Sequence, residues 1–326
     1  MSSYLPKQPY IVLDQNPCRK RAVMAALFRR CRENKLGILL PDTAIYEFSK
    51  GSQAYDTWRR SLEHLCTQPE LVFAGRSLGK MMAHEISTGQ PLQDVVDHEV
   101  TLQFRQMLSG LQVGNDARMK RALSKIARII DTEKALRERH DENKSIVLKL
   151  RDHWKKSLPD ADLKSLRNDN RETFVRILAE LETAAIVFEA AKHDGCTDAS
   201  ASVLTLGPSV YGHVVLGLAA LALDWLAQGG IDGIAPEKIT NDYHDLDYIC
   251  TASFCTDLVT EDRRANRIYS GMIEALERRW QCVTLLAQKK QVMAKKATRK
   301  AAKKTGKKSA KKKVAKKKAG RKTAKK

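Results

Sequence analysis

The last 38 residues of this 326-residue chain, Lys289 to Lys326, contain no Asp or Glu, while holding 20 Lys or Arg. The other 288 residues hold 38 basic and 38 acidic side chains, so the whole formal charge of +20 belongs to this tail. That split excludes a generally basic protein and indicates a neutral body carrying a solvated polycation. Paired cysteines are lacking as well. Cys18, Cys31, Cys66, Cys196, Cys250, Cys255 and Cys282 are odd in number, form no CxxC pair and have no histidine cluster beside them. A disulfide framework and a structural zinc site are thereby disfavoured, and reduced thiols in a cytoplasmic protein are expected. Met1 to Pro6 lacks the basic and apolar blocks of a secretory signal. Long apolar runs are scarce. The longest, Val210 to Leu226, contains His213 and Asp224 and is short for a bilayer, so it reads as a buried helix with no membrane partner.

What is present is an alternation of short apolar runs with helical periods. Tyr10 to Leu13 reads as a buried strand, followed by a basic amphipathic helix from Pro17 to Arg32. Leu36 to Leu40 is a second strand closed by Pro41, after which Asp42-Thr43 suits the cap of a helix carrying Glu47 and stopping near Gly51. Leu71 to Ala74, Asp257 to Thr260 and Cys282 to Leu286 are three further strand candidates. Strands alternating with helices predict an α/β fold with a parallel sheet. Between residues 92 and 200 no strand signal appears. Leu123, Ile126 and Ile130, then Ile146, Leu150 and Trp154, then Phe174, Ile177, Leu181 and Phe188 recur at helical spacing. This stretch reads as an all-helical insertion, with a hairpin turn near Leu158-Pro159-Asp160. The expected organisation is residues 1–91 and 201–288 forming one split domain, 92–200 the insertion and 289–326 a disordered tail.

Acids end the strand-like runs. Asp14 follows the first, with Asn16 beside it; Glu47 lies on the next helix but one; Asp242, Asp245 and Asp247 cluster late; Thr260-Glu261-Asp262 follows the fourth strand candidate. The carboxyl edge of a parallel sheet is where open α/β folds place their sites, and carboxylates gathered there hold divalent metal for phosphate chemistry. In this order, Leu13-Asp14-Gln-Asn16, Leu40-Pro-Asp-Thr-Ala-Ile-Tyr-Glu47, Asp245 with Ala252, and Leu258-Val-Thr260-Glu-Asp262 resemble a PIN domain, the fold of toxin ribonucleases of bacterial toxin–antitoxin pairs and of more distant flap nucleases. The resemblance implies a PIN-like parallel sheet flanked by helices and a metal-dependent nuclease, with RNA expected ahead of DNA. It assigns Asp14, Glu47, Asp245 and Asp262 as catalytic ligands of Mg²⁺ or Mn²⁺, and Asn16 and Thr260 as residues orienting a ligand or water. The third acid is the least determined. On a helix Asp242 and Asp245 share a face while Asp247 points about 200° away. Asp245 also has the spacing to Ala252 that the resemblance implies, so it is preferred and Asp247 is its substitute. The wide gap between Glu47 and Asp245 departs from the compact toxins, and fits either a substrate-binding insertion or a degenerate, non-catalytic head.

Other features carry less. Gly75-Arg-Ser-Leu-Gly79-Lys80 is one residue short of a phosphate loop and has Met81 where Ser or Thr is needed. His84-Glu85, His140-Asp-Glu142 and His193-Asp194 suggest surface or helix-end roles, and the four tryptophans suggest core packing. Arg263 and Arg264, with Arg267 near them, fit either the exposed basic start of a helix, the commoner case, or phosphate contacts at the mouth of the site. The tail resembles those of linker histones and some bacterial nucleoid proteins. Lys295, Lys296, Lys303, Lys304, Lys311, Lys312, Lys313, Lys316, Lys317 and Lys318 would bind RNA or DNA by releasing counterions, without sequence choice, and would associate the protein with the nucleoid where DNA is bound. Two further partners follow from the resemblance: a second copy, since the toxins often dimerise, and an antitoxin-like protein over the acidic site.

Overall fold

The computed structural model describes residues 7–49, 54–92, 94–113, 140–206, 208–229, 236–279 and 281. The fifth strand candidate, Cys282 to Leu286, the apolar repeat at residues 123–130 and the whole basic tail lie outside them. The chain divides into two units, Met1–Arg278 and Arg279–Lys326, and the first contains all the elements below. The expected insertion is not set apart within it.

Four parallel strands form one sheet: β1 (Gln8–Leu13), β2 (Gly37–Leu40), β3 (Val72–Ala74) and β4 (Cys255–Val259), in the spatial order β3-β2-β1-β4. Ile11, Val12 and Leu13 are fully buried, and so are Ile38, Leu39 and Leu40. Continuous apolar strands of this kind belong in a sheet covered on both faces. Val12 aligns with Leu39 on one side and Leu258 on the other, and Leu13 aligns with Val259. That register brings Asp14 level with Thr260, and the Asp14 N–H still donates to Val259 O at 3.0 Å.

The helix expected after β1 is two helices, α1 (Gln15–Cys18) and α2 (Arg21–Asn34). Met24, Leu27, Phe28 and Cys31 form the buried stripe of α2, at the spacing that keeps one face inward. Lys35 ends it in the left-handed region, φ 54°. Next come α3 (Asp42–Ser49) and α4 (Ala54–Leu62), joined in the core by an edge-to-face contact of Phe48 and Trp58 at 5.9 Å. After β3 follow α5 (Leu78–Thr88) and α6 (His98–Gln112). Though α6 lies in the expected insertion, it docks on the sheet: Thr101 Oγ1 accepts from Ala74 N at 3.0 Å.

The remaining helices are α7 (His140–Ser157), α8 (Asp160–Arg167), α9 (Arg171–Ala179), α10 (Leu181–His193), α11 (Asp198–Leu206), α12 (Val210–Ala227) and α13 (Pro236–Ser253). A break at Leu158-Pro159 falls where the sequence placed it, but short helices follow it in place of one long return arm. Apolar on nearly every side, α12 is the hub of this layer, and α5, α7 to α11 and α13 all contact it. It has the length and apolarity to cross a membrane, yet most of it is buried inside the fold. A Cβ on Gly217 would lie 2.6 Å from Leu246 Cδ1 and 2.8 Å from Cys250 Sγ, so glycine is what lets α12 and α13 approach this closely. A further helix, α14, runs on from residue 263 after β4.

Glu85 corrects the sequence reading. It is fully buried, and its carboxylate accepts from Leu92 N at 2.8 Å, Val210 N at 2.9 Å and Tyr211 N at 2.7 Å. The first N–H groups of α12 have no partner inside their own helix, and a buried carboxylate supplied from α5 meets them at the positive end of the helix dipole. All described cysteines are buried free thiols, Cys18, Cys31, Cys66, Cys196, Cys250 and Cys255.

Candidate active site

Asp14 leaves β1 at its carboxyl end and is half-buried. Its Oδ1 accepts from Gln15 N at 2.5 Å and its Oδ2 from Thr260 Oγ1 at 2.7 Å. It therefore caps α1, the ordinary role of Asp at a strand–helix junction. The Thr260 hydroxyl in turn accepts from Asp262 N at 3.0 Å, so one side chain fixes the distance between the turn after β4 and the end of β1. Asp262 is exposed and caps α14 through Arg264 N at 2.6 Å and Ala265 N at 3.0 Å. Asn16 is exposed in α1.

Glu47 comes to the same edge from α3. Its Oε2 accepts from the Tyr248 hydroxyl at 2.8 Å and its Oε1 lies 3.5 Å from His244 Nδ1. Both partners sit on α13, four residues apart and so on one face, flanking Asp245 in sequence. Sequence reading passed over them; their spacing beside the acid was the available signal.

Electrostatics tie the four acids together. Burial comes first in pushing the Asp245 carboxyl up to about 7, and Asp262, Asp14, Asp242 and Glu47 then add to it through repulsion. Asp14 is also raised, chiefly by burial; the Thr260 and Gln15 hydrogen bonds oppose this, while Glu47 and Asp262 reinforce it. Carboxylates from β1, α3, α13 and the turn after β4 thus share one edge and repel one another. Among the described residues, no three His, Cys, Asp or Glu side chains converge closely enough to hold an ion as they stand. The donors are oxygens throughout, the chemistry a hard divalent cation takes, and its binding would require the carboxylates to draw together.

The three competing acids of α13 are separated by their partners. Asp242 is buried and accepts from Trp225 Nε1 at 2.7 Å and from Arg264 Nη1. Asp247 accepts from the hydroxyl of Thr43, on α3. Asp245, between them, is part-buried, and the charges of Asp262, Asp14, Asp242 and Glu47 raise its carboxyl after burial does.

Arg264 does not meet the expectation of a phosphate contact at the mouth. Its Nε donates to Asp224 Oδ2 at 2.6 Å and its Nη1 to Asp242. Asp224 is only 2% exposed within the apolar α12, and a buried carboxylate needs a cation or it loses its charge. Arg267 completes that cluster, reaching Asp224 and, at 2.6 Å, Asp169 Oδ1. Arg263 stays exposed. The tail lysines from Lys295 to Lys318 lie outside the described residues. Searches of family models, curated proteins and solved structures found no match to this chain.

Proposed function

We propose that this protein is a metal-dependent nuclease with a PIN-like head, hydrolysing phosphodiester bonds in RNA ahead of DNA and held to nucleic acid by its polycationic tail. One observation carries the reading: Asp14, Glu47, Asp245 and Asp262, from segments as far apart in the chain as Asp14 and Asp262, share one sheet edge, where Asp14, Glu47 and Asp262 add to the proton affinity of Asp245, and Glu47 and Asp262 to that of Asp14. Such repulsion is costly to a folded chain and is relieved by a divalent cation.

In this reading Asp14, Asp245 and Asp262 hold Mg²⁺ or Mn²⁺, with Glu47 completing the set once its carboxylate turns from Tyr248 and His244. When bound, the ion would lower the pKa of water and offset charge on the phosphate. Thr260 keeps Asp14 and Asp262 in register, and Tyr248 restrains Glu47. A second reading, a non-catalytic nucleoid-associated protein on the same scaffold, draws support from the lack of a ready-made cage among the described residues.

Full-length protein and its Asp14→Asn variant, incubated with labelled single-stranded RNA, single-stranded DNA and flapped duplex in Mn²⁺, Mg²⁺ or EDTA, separate the two. The tail is present in both proteins, so a difference between them belongs to the head. Cleavage by wild type in metal alone is expected, falling at least about 100-fold in Asp14→Asn, as loss of a positioned charge does. Cleavage by neither, with no heat of metal binding in calorimetry, leaves the binding protein.

A further inference from the structure

Cations crowd the edge that carries the acids, and among the described residues no Lys or Arg pairs with Asp14, Glu47, Asp245 or Asp262. Arg19, Lys20 and Arg21 lie where α1 gives way to α2, and all three are exposed. Two contacts fix this junction beside the site. Arg19 Nε donates to Ser61 Oγ of α4 at 3.2 Å, and Lys20 Nζ sits 2.7 Å from Glu261 Oε1, between Thr260 and Asp262. Arg263 is exposed immediately past Asp262. Among the described residues neither Arg21 nor Arg263 pairs with a carboxylate. Other arginines of the surface do: Arg30 with Asp257 at 2.7 Å, Arg171 with Glu274 at 3.1 Å and Arg278 with Glu172 at 2.7 Å.

Holding the part-buried Asp14, Glu47 and Asp245 and free guanidinium groups at one edge separates charge where pairing it would help folding. A ligand that is itself anionic, and that meets the acids only through a cation, accounts for both halves. We infer that Arg19, Lys20, Arg21 and Arg263 form a rim that takes the phosphates of a nucleic-acid strand on either side of the one presented to the acidic floor. This rests on the nuclease reading of that floor. Guanidinium groups grip phosphate oxygens in pairs. The Lys20–Glu261 bridge is exposed and screened by water, so a phosphate can replace the carboxylate. Next to Arg21 the outer face of α2 presents Ala22, Ala25 and Ala26, short side chains that let a backbone come close. The start of α2 adds to this, since no side chain caps it and its first turn contains no acid.

The test is equilibrium binding in Ca²⁺, an oxygen-liganded cation that can stand between the acids and the strand, with the strand checked to be intact at the end of each titration. Full-length wild type, the rim variant R21Q/R263Q and the control variant K155Q/R167Q are titrated into labelled single-stranded 12-mers at several salt concentrations. Lys155 and Arg167 are exposed cations on α7 and α8, so the control removes the same charge from another surface. For a single strand each phosphate contact contributes about 0.7 to the slope of log K against log salt. The rim variant is therefore expected to lose about 1.4 from that slope, with RNA and DNA alike, and the control less than half as much. An unchanged slope in the rim variant, or an equal loss in the control, overturns the proposal. The readout needs no turnover, so a protein that binds in this way and cuts nothing would remove the nuclease reading while keeping the rim.

Discussion

Asp245 is the residue on which stability and chemistry oppose each other. In the unfolded chain it ionises near 3.8, as an ordinary aspartate does, and in the fold its carboxyl is pushed up to about 7, by burial before repulsion. Between those values the folded state keeps a proton that the unfolded state has lost. The contribution is therefore complete below about pH 4 and is lost as pH rises through about 7. Asp245→Asn removes the ionisation, so in EDTA at pH 8 the variant is expected to be more stable than wild type by about 1–2 kcal/mol, after allowing for solvent screening of a partly exposed group. Thermal melts of both proteins from pH 4 to 8 check this; parallel curves would show that Asp245 carries no such burden. At this scale the four acids were legible because each ends a strand-like run or falls on a helix beside one. Choosing among Asp242, Asp245 and Asp247 was half-legible: helix geometry set Asp247 apart, and only the resemblance's spacing to Ala252 favoured Asp245 over Asp242. Arg264 was misread because its partners, Asp224 and Asp242, precede it by 40 and 22 residues.

At the scale of elements, apolar period and turn residues located β1 to β4 to within a few residues, and Pro41 and Pro159 marked real boundaries. The break at Arg19-Lys20 escaped notice because Asp14 caps a separate short helix, a matter of one side chain's direction. Glu85 escaped for a related reason: nothing in its neighbourhood says that it will meet the start of a helix 125 residues on. Burial raises its carboxyl while three N–H donors hold it charged. Glu85→Gln keeps the shape and turns an NH₂ group toward one of those donors. A loss of about 1–3 kcal/mol is expected, from a buried donor left unsatisfied. In urea the midpoint should fall with an unchanged m-value; an unaltered midpoint would mean that α12 is capped sufficiently by Ser209, which accepts from Gly212 N at 2.9 Å.

For the whole molecule, charge is distributed by segment. A body of balanced charge precedes a tail that holds the entire excess of +20. Nucleic-acid affinity should then be dominated by counterion release from the tail, while the head decides position. Truncation after residue 288 is expected to remove most of the salt dependence of duplex binding, measured by fluorescence anisotropy across a salt series, and to leave the Asp14-dependent cleavage in place. Equal salt slopes for the full and shortened chains would show that the tail does not engage the duplex.

The sequence by itself determined the parallel α/β character, the buried nature of the Val210–Ala227 helix and the segregation of charge into the tail, because period, composition and turn chemistry are local quantities. The acids at strand ends also belong to it, since where a strand stops is written nearby. Only the tertiary structure decided which charges neutralise one another. Arg264 turned inward because Asp224 and Asp242 are buried around it, Glu85 became the cap of a distant helix, and Tyr248 and His244 came to hold Glu47. Each of these pairings joins residues far apart in the chain, and their energies depend on burial that no local pattern specifies.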